Sequence, residues 1–298
     1  MRVLGGGDGK IPPVPVPEIS VVVPVFNEEE NLPLLAAELR KVLRSLGRPC
    51  EVIFVDDGST DGSLEALGRL KVQDPAIRIV RLPRNAGQSA ALAAGFRAAR
   101  GGLVVTLDAD LQNDPADIPR LLNHLEGYDV VCGVRTSRQD AWLRKASSRI
   151  AAGVRNRLTR DPVADAGCTL RVYRAEFLRR IPLFSGMHRF LPTLLKLEGA
   201  RITEVPVHHR PRRHGQSKYN IRNRIWRSLA DLFAVRWMQR RWIDRRAPEE
   251  IDPCHSTPIT SGSPSASSAR PSSSAASSYS GSPLSAARKA SSRDPSGT

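Results

Sequence analysis

The sequence predicts an α/β fold, a mostly parallel sheet with helices on both faces. Two observations predict it. Short β-branched runs alternate with stretches of helical period along the first half of the chain, and strand, helix, strand repeated in this way builds a parallel sheet covered on each side. The apolar content, 40% of 298 residues, suits one large globular domain or two small ones.

The strand candidates are residues 19–25, 52–55, 77–82, 104–107 and 129–133. Between the first two, Leu32, Leu35, Leu39, Val42, Leu43 and Leu46 recur at helical spacing. Leu64, Leu67 and Leu70 do so before the third run, the Ala-rich stretch 89–100 before the fourth, and Ile118, Leu121, Leu122 and Leu125 before the fifth. The longest near-continuous apolar stretch, residues 19–26, contains Pro24 and is far too short to cross a bilayer. The start of the chain, glycines 5–7 and then Pro12, Pro13, Pro15 and Pro17, lacks the charged-then-apolar order of a secretion signal, so a cytosolic location is expected.

The domain organisation read from these features is a flexible segment 1–18, a catalytic-type domain 19–220, a basic amphipathic helix 221–246 and a tail 247–298. The tail holds 17 Ser with repeated Pro and Ala; with so few large apolar side chains it cannot build a core and is expected to be disordered. The net charge of +15 therefore belongs to the rest of the chain, and residues 201–246 alone carry 13 Lys and Arg against 3 acids. So basic a surface calls for an anionic partner: nucleic acid, an anionic membrane or a polyphosphate ligand. Cys50, Cys132, Cys168 and Cys254 form no zinc-ligand spacing and read as reduced thiols. His208 and His209 are adjacent, so on a strand they point to opposite faces and read as structural.

In parallel sheets ligands bind beyond the carboxyl ends of the strands. The first run is followed by Glu28, Glu29 and Glu30, which suit both the positive end of the next helix and a ligand site. The second ends in Asp56 and Asp57, then a turn in which Gly58 and Asp61 serve the turn and helix cap. Two acids leaving an apolar strand repel each other unless they bind something. The fourth ends in Asp108, Ala109 and Asp110. Alternating positions on an extended segment put both carboxylates on one side, where they can present oxygens to Mg²⁺ or Mn²⁺. Asp114 before Pro115 reads as a helix N-cap.

Seven ordered segments carry a resemblance: VVVPVFNEEENL (21–32), VDDGSTDGS (55–63), RNAGQSAALAAGF (84–96), TLDADLQNDP (106–115), GYDVVCGVR (127–135), DAGCTLRVYR (165–174) and RRHGQSKY (212–219). Over residues 19–242 the chain resembles the family 2 glycosyltransferases, in particular the polyprenyl-phosphate sugar transferase group typified by dolichyl-phosphate mannose synthase. The resemblance implies a GT-A fold and an inverting, metal-dependent transfer of a single sugar from a nucleotide-sugar donor, GDP-mannose or a UDP-sugar, to a polyprenyl phosphate. Matched by position, it implies that Pro24, Phe26 and Glu28 flank the nucleoside, with Val55 and Asp57 beside base and ribose and Ala109 against the donor. Asp108, Asp110 and Gln112 would hold the divalent cation, and Arg135, Arg212 and Lys218 would meet donor or acceptor phosphates. Arg135 is thereby also a catalytic candidate. Asp110 and Asp165 are candidate bases if the acceptor is a hydroxyl. An ionised lipid phosphate needs little base assistance.

The residue types fit such chemistry on their own terms. Sugar transfer from a nucleoside diphosphate builds negative charge on the leaving group, which a cation or guanidinium stabilises. Many relatives in this group carry transmembrane helices after the catalytic domain. Here residues 221–246 instead combine Ile221, Ile225, Leu229, Leu232 and Phe233 at helical spacing with Arg222, Arg224, Arg227, Arg236, Arg240 and Arg241 around them and with Trp226, Trp237 and Trp242. Such a helix either lies in the interface of an anionic membrane or packs on the domain. The expected protein is peripheral, at the cytoplasmic face of the membrane. Residues 239–242, Gln-Arg-Arg-Trp, fall one short of the QxxRW motif of processive synthases, which favours one transfer per acceptor over chain growth. Competing readings are a soluble family 2 enzyme acting on a saccharide or protein hydroxyl, an unrelated nucleotide-binding enzyme, and a nucleic-acid-binding protein. The last lacks zinc-finger spacings and RNP-like aromatic motifs, so no nucleic-acid partner is expected. GGGDGK (5–10) fails the P-loop spacing.

Overall fold

A computed structural model describes residues 16–136, 153, 159, 164–211 and 221–243, with side chains from 229 onward in the last stretch. The first part of the chain alternates as β1 (Ile19–Val25), α1 (Leu32–Ser45), β2 (Cys50–Asp56), α2 (Ser63–Gln73), β3 (Ile77–Arg81), α3 (Gln88–Ala98), β4 (Leu103–Thr106), α4 (Ile118–Asn123) and β5 (Val130–Arg135). Then follow β6 (Arg171–Arg174), α5 (Ala175–Leu178), α6 (Leu191–Leu197), β7 (Ile202–Val207) and α7 (Ile221–Arg240). The seven strands lie in the order β3-β2-β1-β4-β6-β5-β7. β1 pairs in parallel with β2 and β4, β2 with β3, and β5 with β7; β6 is antiparallel to both neighbours. The alternation read from the sequence is β1 to β5 of this sheet, with each boundary within about three residues.

Side chains leave a strand on alternate faces, so the sheet divides the core in two. Val21, Val23 and Val25 of β1 pack with Leu32, Leu35, Leu39 and Leu67 of α1 and α2. Val22 packs on the other side with Ile53, Val55 and the Ala-rich α3. Gly95 lets α3 sit this close, because a Cβ there would strike Val22 Cγ1. The fit brings the start of α3 to the carboxyl end of the strands. Strand order reverses between β1 and β4, which makes that end the switch point where such sheets bind ligands.

β6 departs from the expected pattern. It is central yet carries Arg171 and Arg174 at its ends, and it inserts antiparallel between β4 and β5. Arg171 is 2% exposed; its guanidinium donates to the carbonyls of Ala166 (2.8 Å) and His188 (3.2 Å). Leu232 and Val235 of α7 pack into the second core, while Phe233 and Trp237 are exposed. Among the described residues no helix is long and apolar enough to cross a membrane. Residues 1–15, the tail 247–298 with Cys254, and the 212–219 segment with Arg212 and Lys218 lie outside the described residues, as do the side chains of Ile221, Ile225 and Trp226.

Candidate active site

A cleft of about 570 Å³ opens at the switch point. Pro24, Val25, Phe26 and Glu28 line it from the end of β1, Asp57 from β2, and Asp108, Ala109 and Asp110 from β4. Asn85, Ala86, Gly87, Gln88 and Ala91 form the wall at the start of α3, and Ser185 closes one side. Asp57, Asp108 and Asp110, three acids from two strand ends, therefore share one hollow. No Lys or Arg is among the described residues lining it.

The loop after β1 is aimed by Asn27, which takes a positive φ of 54°, a conformation Asn tolerates better than most residues. Its side-chain oxygen accepts the Thr60 N–H (2.8 Å), and the Glu28 N–H donates to Ser63 Oγ (2.8 Å). These bonds stitch the β1–α1 loop to the β2–α2 loop and leave Phe26 and Glu28 on the cleft wall.

The acid pair after β2 has a local explanation. Asp56 is fully buried; its Oδ1 accepts the Ser59 N–H (3.1 Å), and Arg81 stands 3.7 Å from its other oxygen. Asp57 accepts the N–H groups of Ala86 (2.8 Å) and Gly87 (2.9 Å), the orphan donors just ahead of α3. A carboxylate at this positive helix end is favourable. Asp57 thus fixes the β3–α3 turn as well as lining the cleft. Gly58, with φ of 69°, allows that turn to pass against it, since a Cβ would come within 2.6 Å of Arg84 C and Asn85 N.

After β4 the chain folds back sharply. Leu111 has a φ of 60° and is 1% exposed; burial of its side chain holds a backbone conformation that costs a β-carbon residue about 1 kcal/mol or more. Asp110 is 8% exposed, and its Oδ1 accepts the Gln112 N–H (3.2 Å). Asp108 accepts from the Gln88 amide (2.8 Å). Burial first, and the neighbouring Asp110 carboxylate second, push the Asp108 carboxyl up to about 7, against hydrogen bonds from Thr169 and Gln88 and the positive charge of Arg171. Two carboxylates pressed together at the mouth of a cleft suit a bound cation. Among the described residues no group of three His, Cys, Asp or Glu side chains surrounds a single point. This donor set suits a hard ion that takes one or two protein carboxylates and completes its shell with phosphate oxygens and water, as Mg²⁺ does.

Of the other residues singled out in the sequence, Val55 is fully buried beneath α3, in the second core and not on the cleft surface. Gln112 is held beside the loop rather than in the cleft lining, its carbonyl accepting the Arg210 N–H (2.9 Å). Arg135 forks onto Asp165, with Nε–Oδ2 at 2.6 Å and Nη2–Oδ1 at 2.8 Å. Asp165 is 5% exposed, and a carboxylate so engaged is a poor general base. Asp114 caps the turn after it by accepting the Ala116 N–H (2.9 Å), as expected of an N-cap. His208 is tied to Asp117 through Nδ1 (3.0 Å), in keeping with a structural role. Asn85, Gln88 and Ser185 were not singled out by sequence reasoning. The first two follow the third apolar run, and the strand-end rule applied there as at the other three runs points to them.

A sequence model described as Glycosyl transferase family 2 matches residues 20–181. The undecaprenyl-phosphate 4-deoxy-4-formamido-L-arabinose transferase of Edwardsiella ictaluri is 43% identical over 206 residues, 68% of this chain and 63% of that protein. The protein of the same name from Serratia proteamaculans is 44% identical over 209 residues, 70% of this chain and 64% of its own. The chain thus spans less than two thirds of the length of these relatives. Among solved structures, glucosyl-3-phosphoglycerate synthase from Mycobacterium tuberculosis, in complex with Mn²⁺, UDP and phosphoglyceric acid, superposes with a TM-score of 0.58 at 21% identity, covering 76% of this chain and 79% of the other. The same enzyme with Mg²⁺ and UDP gives 0.57 at 20% identity, over 75% and 79% of the two chains. At this identity the likeness is one of fold.

Proposed function

The chain belongs to glycosyl transferase family 2, and from that premise we propose that it transfers a single sugar from a nucleoside diphosphate donor to a polyprenyl phosphate, with inversion at the anomeric carbon. The observation that carries this reading is the meeting of Asp108 and Asp110 with Asp57 in one cleft at the sheet's switch point. The relatives named as undecaprenyl-phosphate transferases support the choice of acceptor.

Asp108 and Asp110 would hold a divalent cation, with Gln112 next to them on the same loop. Bound there, Mg²⁺ or Mn²⁺ supplies positive charge to the donor diphosphate and stabilises the leaving group. Phe26 and Pro24 offer an apolar wall to the nucleoside, and Glu28 and Asp57 offer acceptors to its hydroxyl and amine groups. Arg212 and Lys218 would meet donor or acceptor phosphates. Arg135 acts through its grip on Asp165, which leaves neither group free for proton transfer. An acceptor that arrives already ionised requires no base, and this agrees with a lipid phosphate better than with a hydroxyl.

The exposed face of α7 supports a site at a membrane surface. Ala230, Phe233, Ala234 and Trp237 share one exposed stripe, Arg240 and Arg241 follow it, and Leu232 and Val235 hold the opposite face on the domain. Apolar contact plus Arg attraction to anionic headgroups would keep the protein peripheral on the cytoplasmic leaflet.

Two experiments test these statements. Incubation with labelled nucleotide sugars and short polyprenyl phosphates is expected to move label into organic solvent, and EDTA to stop this reversibly. Label that enters only water-soluble product would replace the lipid acceptor, and turnover unchanged in excess EDTA would remove the metal. In vesicle flotation, Phe233→Ser with Trp237→Ser is expected to weaken binding to anionic liposomes by about 10-fold or more. Equal flotation of the parent and the double variant would assign the stripe another role.

A further inference from the structure

Gln88 is the first residue of α3, and its position is held from both sides. Ahead of it, Asp57 accepts the N–H groups of Ala86 and Gly87. Behind it, Ser89 is 6% exposed, and its Oγ accepts the Gly186 N–H (3.0 Å) and bonds His188 Nδ1 (2.8 Å). With the backbone fixed, the Gln88 amide reaches across to donate to Asp108 Oδ1 at 2.8 Å. Only the NH₂ end of the amide is attracted to a carboxylate oxygen, so the contact defines the orientation of both groups. Gln88 also lines a small void of about 10 Å³ behind Asp108, shared with Thr169, Arg171 and Tyr173.

We infer that Gln88 is a positioning residue: its amide fixes the Asp108 carboxylate in the orientation that receives the divalent cation. A ligating carboxylate left to rotate loses rotamer entropy on binding, whereas one held by a neutral donor keeps its charge and has already lost that freedom. An amide suits this task because a guanidinium or ammonium in its place would compete with the cation for the same oxygens. Partners of this kind are worth about 10- to 100-fold in metal affinity in metalloproteins generally. The inference rests on the assignment of Asp108 and Asp110 as the cation's ligands.

The test is Mn²⁺ binding to the full chain, read by the loss of the free-ion electron paramagnetic resonance signal, alone and with UDP present. Gln88→Met keeps the length of the side chain and removes the donor; it is expected to raise the Mn²⁺ dissociation constant about 10- to 100-fold. Ser89→Ala removes buried hydrogen bonds from the same helical turn, while Asp57 still holds Ala86 and Gly87; it is expected to lower Tm and to weaken Mn²⁺ binding by no more than about threefold, well short of the loss in Gln88→Met. Unchanged Mn²⁺ affinity in Gln88→Met overturns the inference. So does an equal loss in Ser89→Ala, because the effect would then belong to the turn and not to the amide. If the parent protein itself binds no Mn²⁺ in either condition, the assignment of the ligands fails and the inference falls with it.

Discussion

The two ends of the sheet each bury acidic side chains and treat them in opposite ways. At the amino end, Glu51 is 2% exposed and takes hydrogen bonds from Ser20 Oγ (2.7 Å), the Arg100 N–H (2.9 Å) and the guanidinium groups of Arg78 (2.8 Å) and Arg100 (2.9 Å). At the carboxyl end, Asp57, Asp108 and Asp110 receive bonds from backbone N–H groups and the Gln88 amide, and no Lys or Arg is among the described residues lining their cleft. The carboxyl groups respond accordingly. Burial pulls Glu51 up, but its donors outweigh that and hold it below the ordinary glutamate value. Asp108 is pushed up to about 7 by burial and by Asp110. A buried acid at a strand end is therefore not in itself a sign of function; the sign is a buried acid that opens on a cleft and whose carboxyl is pushed up by a second carboxylate beside it.

The strongest way to break this comparison is to remove one acid from each end. Asp110→Ala is expected to lower turnover by about 1,000-fold or more, the loss of several kcal/mol of charge stabilisation in the transition state. Its Tm should stay level or rise, because a repulsion between like charges is relieved. Paired measurements of turnover and thermal unfolding check both statements. A variant that loses Tm along with activity would make Asp110 part of the framework, and the carboxyl end would then resemble the amino end.

The sequence made the first five strands plain and hid β6 and β7. From β1 to β4 each strand is a run of apolar side chains bounded by a helix of regular period, and β-branched residues buried on both faces have no other architecture open to them. β6 gives no such signal: a four-residue strand with Arg at both ends looks like a surface segment, and the carbonyls of Ala166 and His188 help make burial of Arg171 tolerable. Local pattern does not encode partners so distant in the chain. The site was legible to the same degree. Asp57, Asp108 and Asp110 stand at strand ends where a rule can find them, and Pro24, Phe26, Glu28 and Ala109 join them in the cleft. That Asp165 is locked to Arg135, that Val55 faces the core and that Gln88 reaches Asp108 are facts of side-chain packing across the fold, invisible to spacing.

A smaller effect sharpens the comparison from the other side. Glu51→Ala should leave the cleft and its turnover near the parent value at temperatures where the protein is folded, while costing about 2–3 kcal/mol of stability. The cost stays at this level because the two guanidinium groups are not trapped when their partner goes. The side chains of Arg78 and Arg100 are 31% and 49% exposed and can turn to water, so the loss falls chiefly on Ser20 Oγ and the Arg100 N–H. In a domain of this size that is a Tm decrease of roughly 5–10 °C. The pH dependence fixes the sign. Since the folded carboxyl lies below its unfolded value of 4.5, its contribution is fully present above that pH and drains away as pH falls through the folded value. The stability gap between the parent and Glu51→Ala, measured by denaturant unfolding, should be constant near neutrality and narrow in acid. A gap that widens in acid would mean that Glu51 is held protonated in the folded protein, and the contrast between the two ends of the sheet would lose its electrostatic basis.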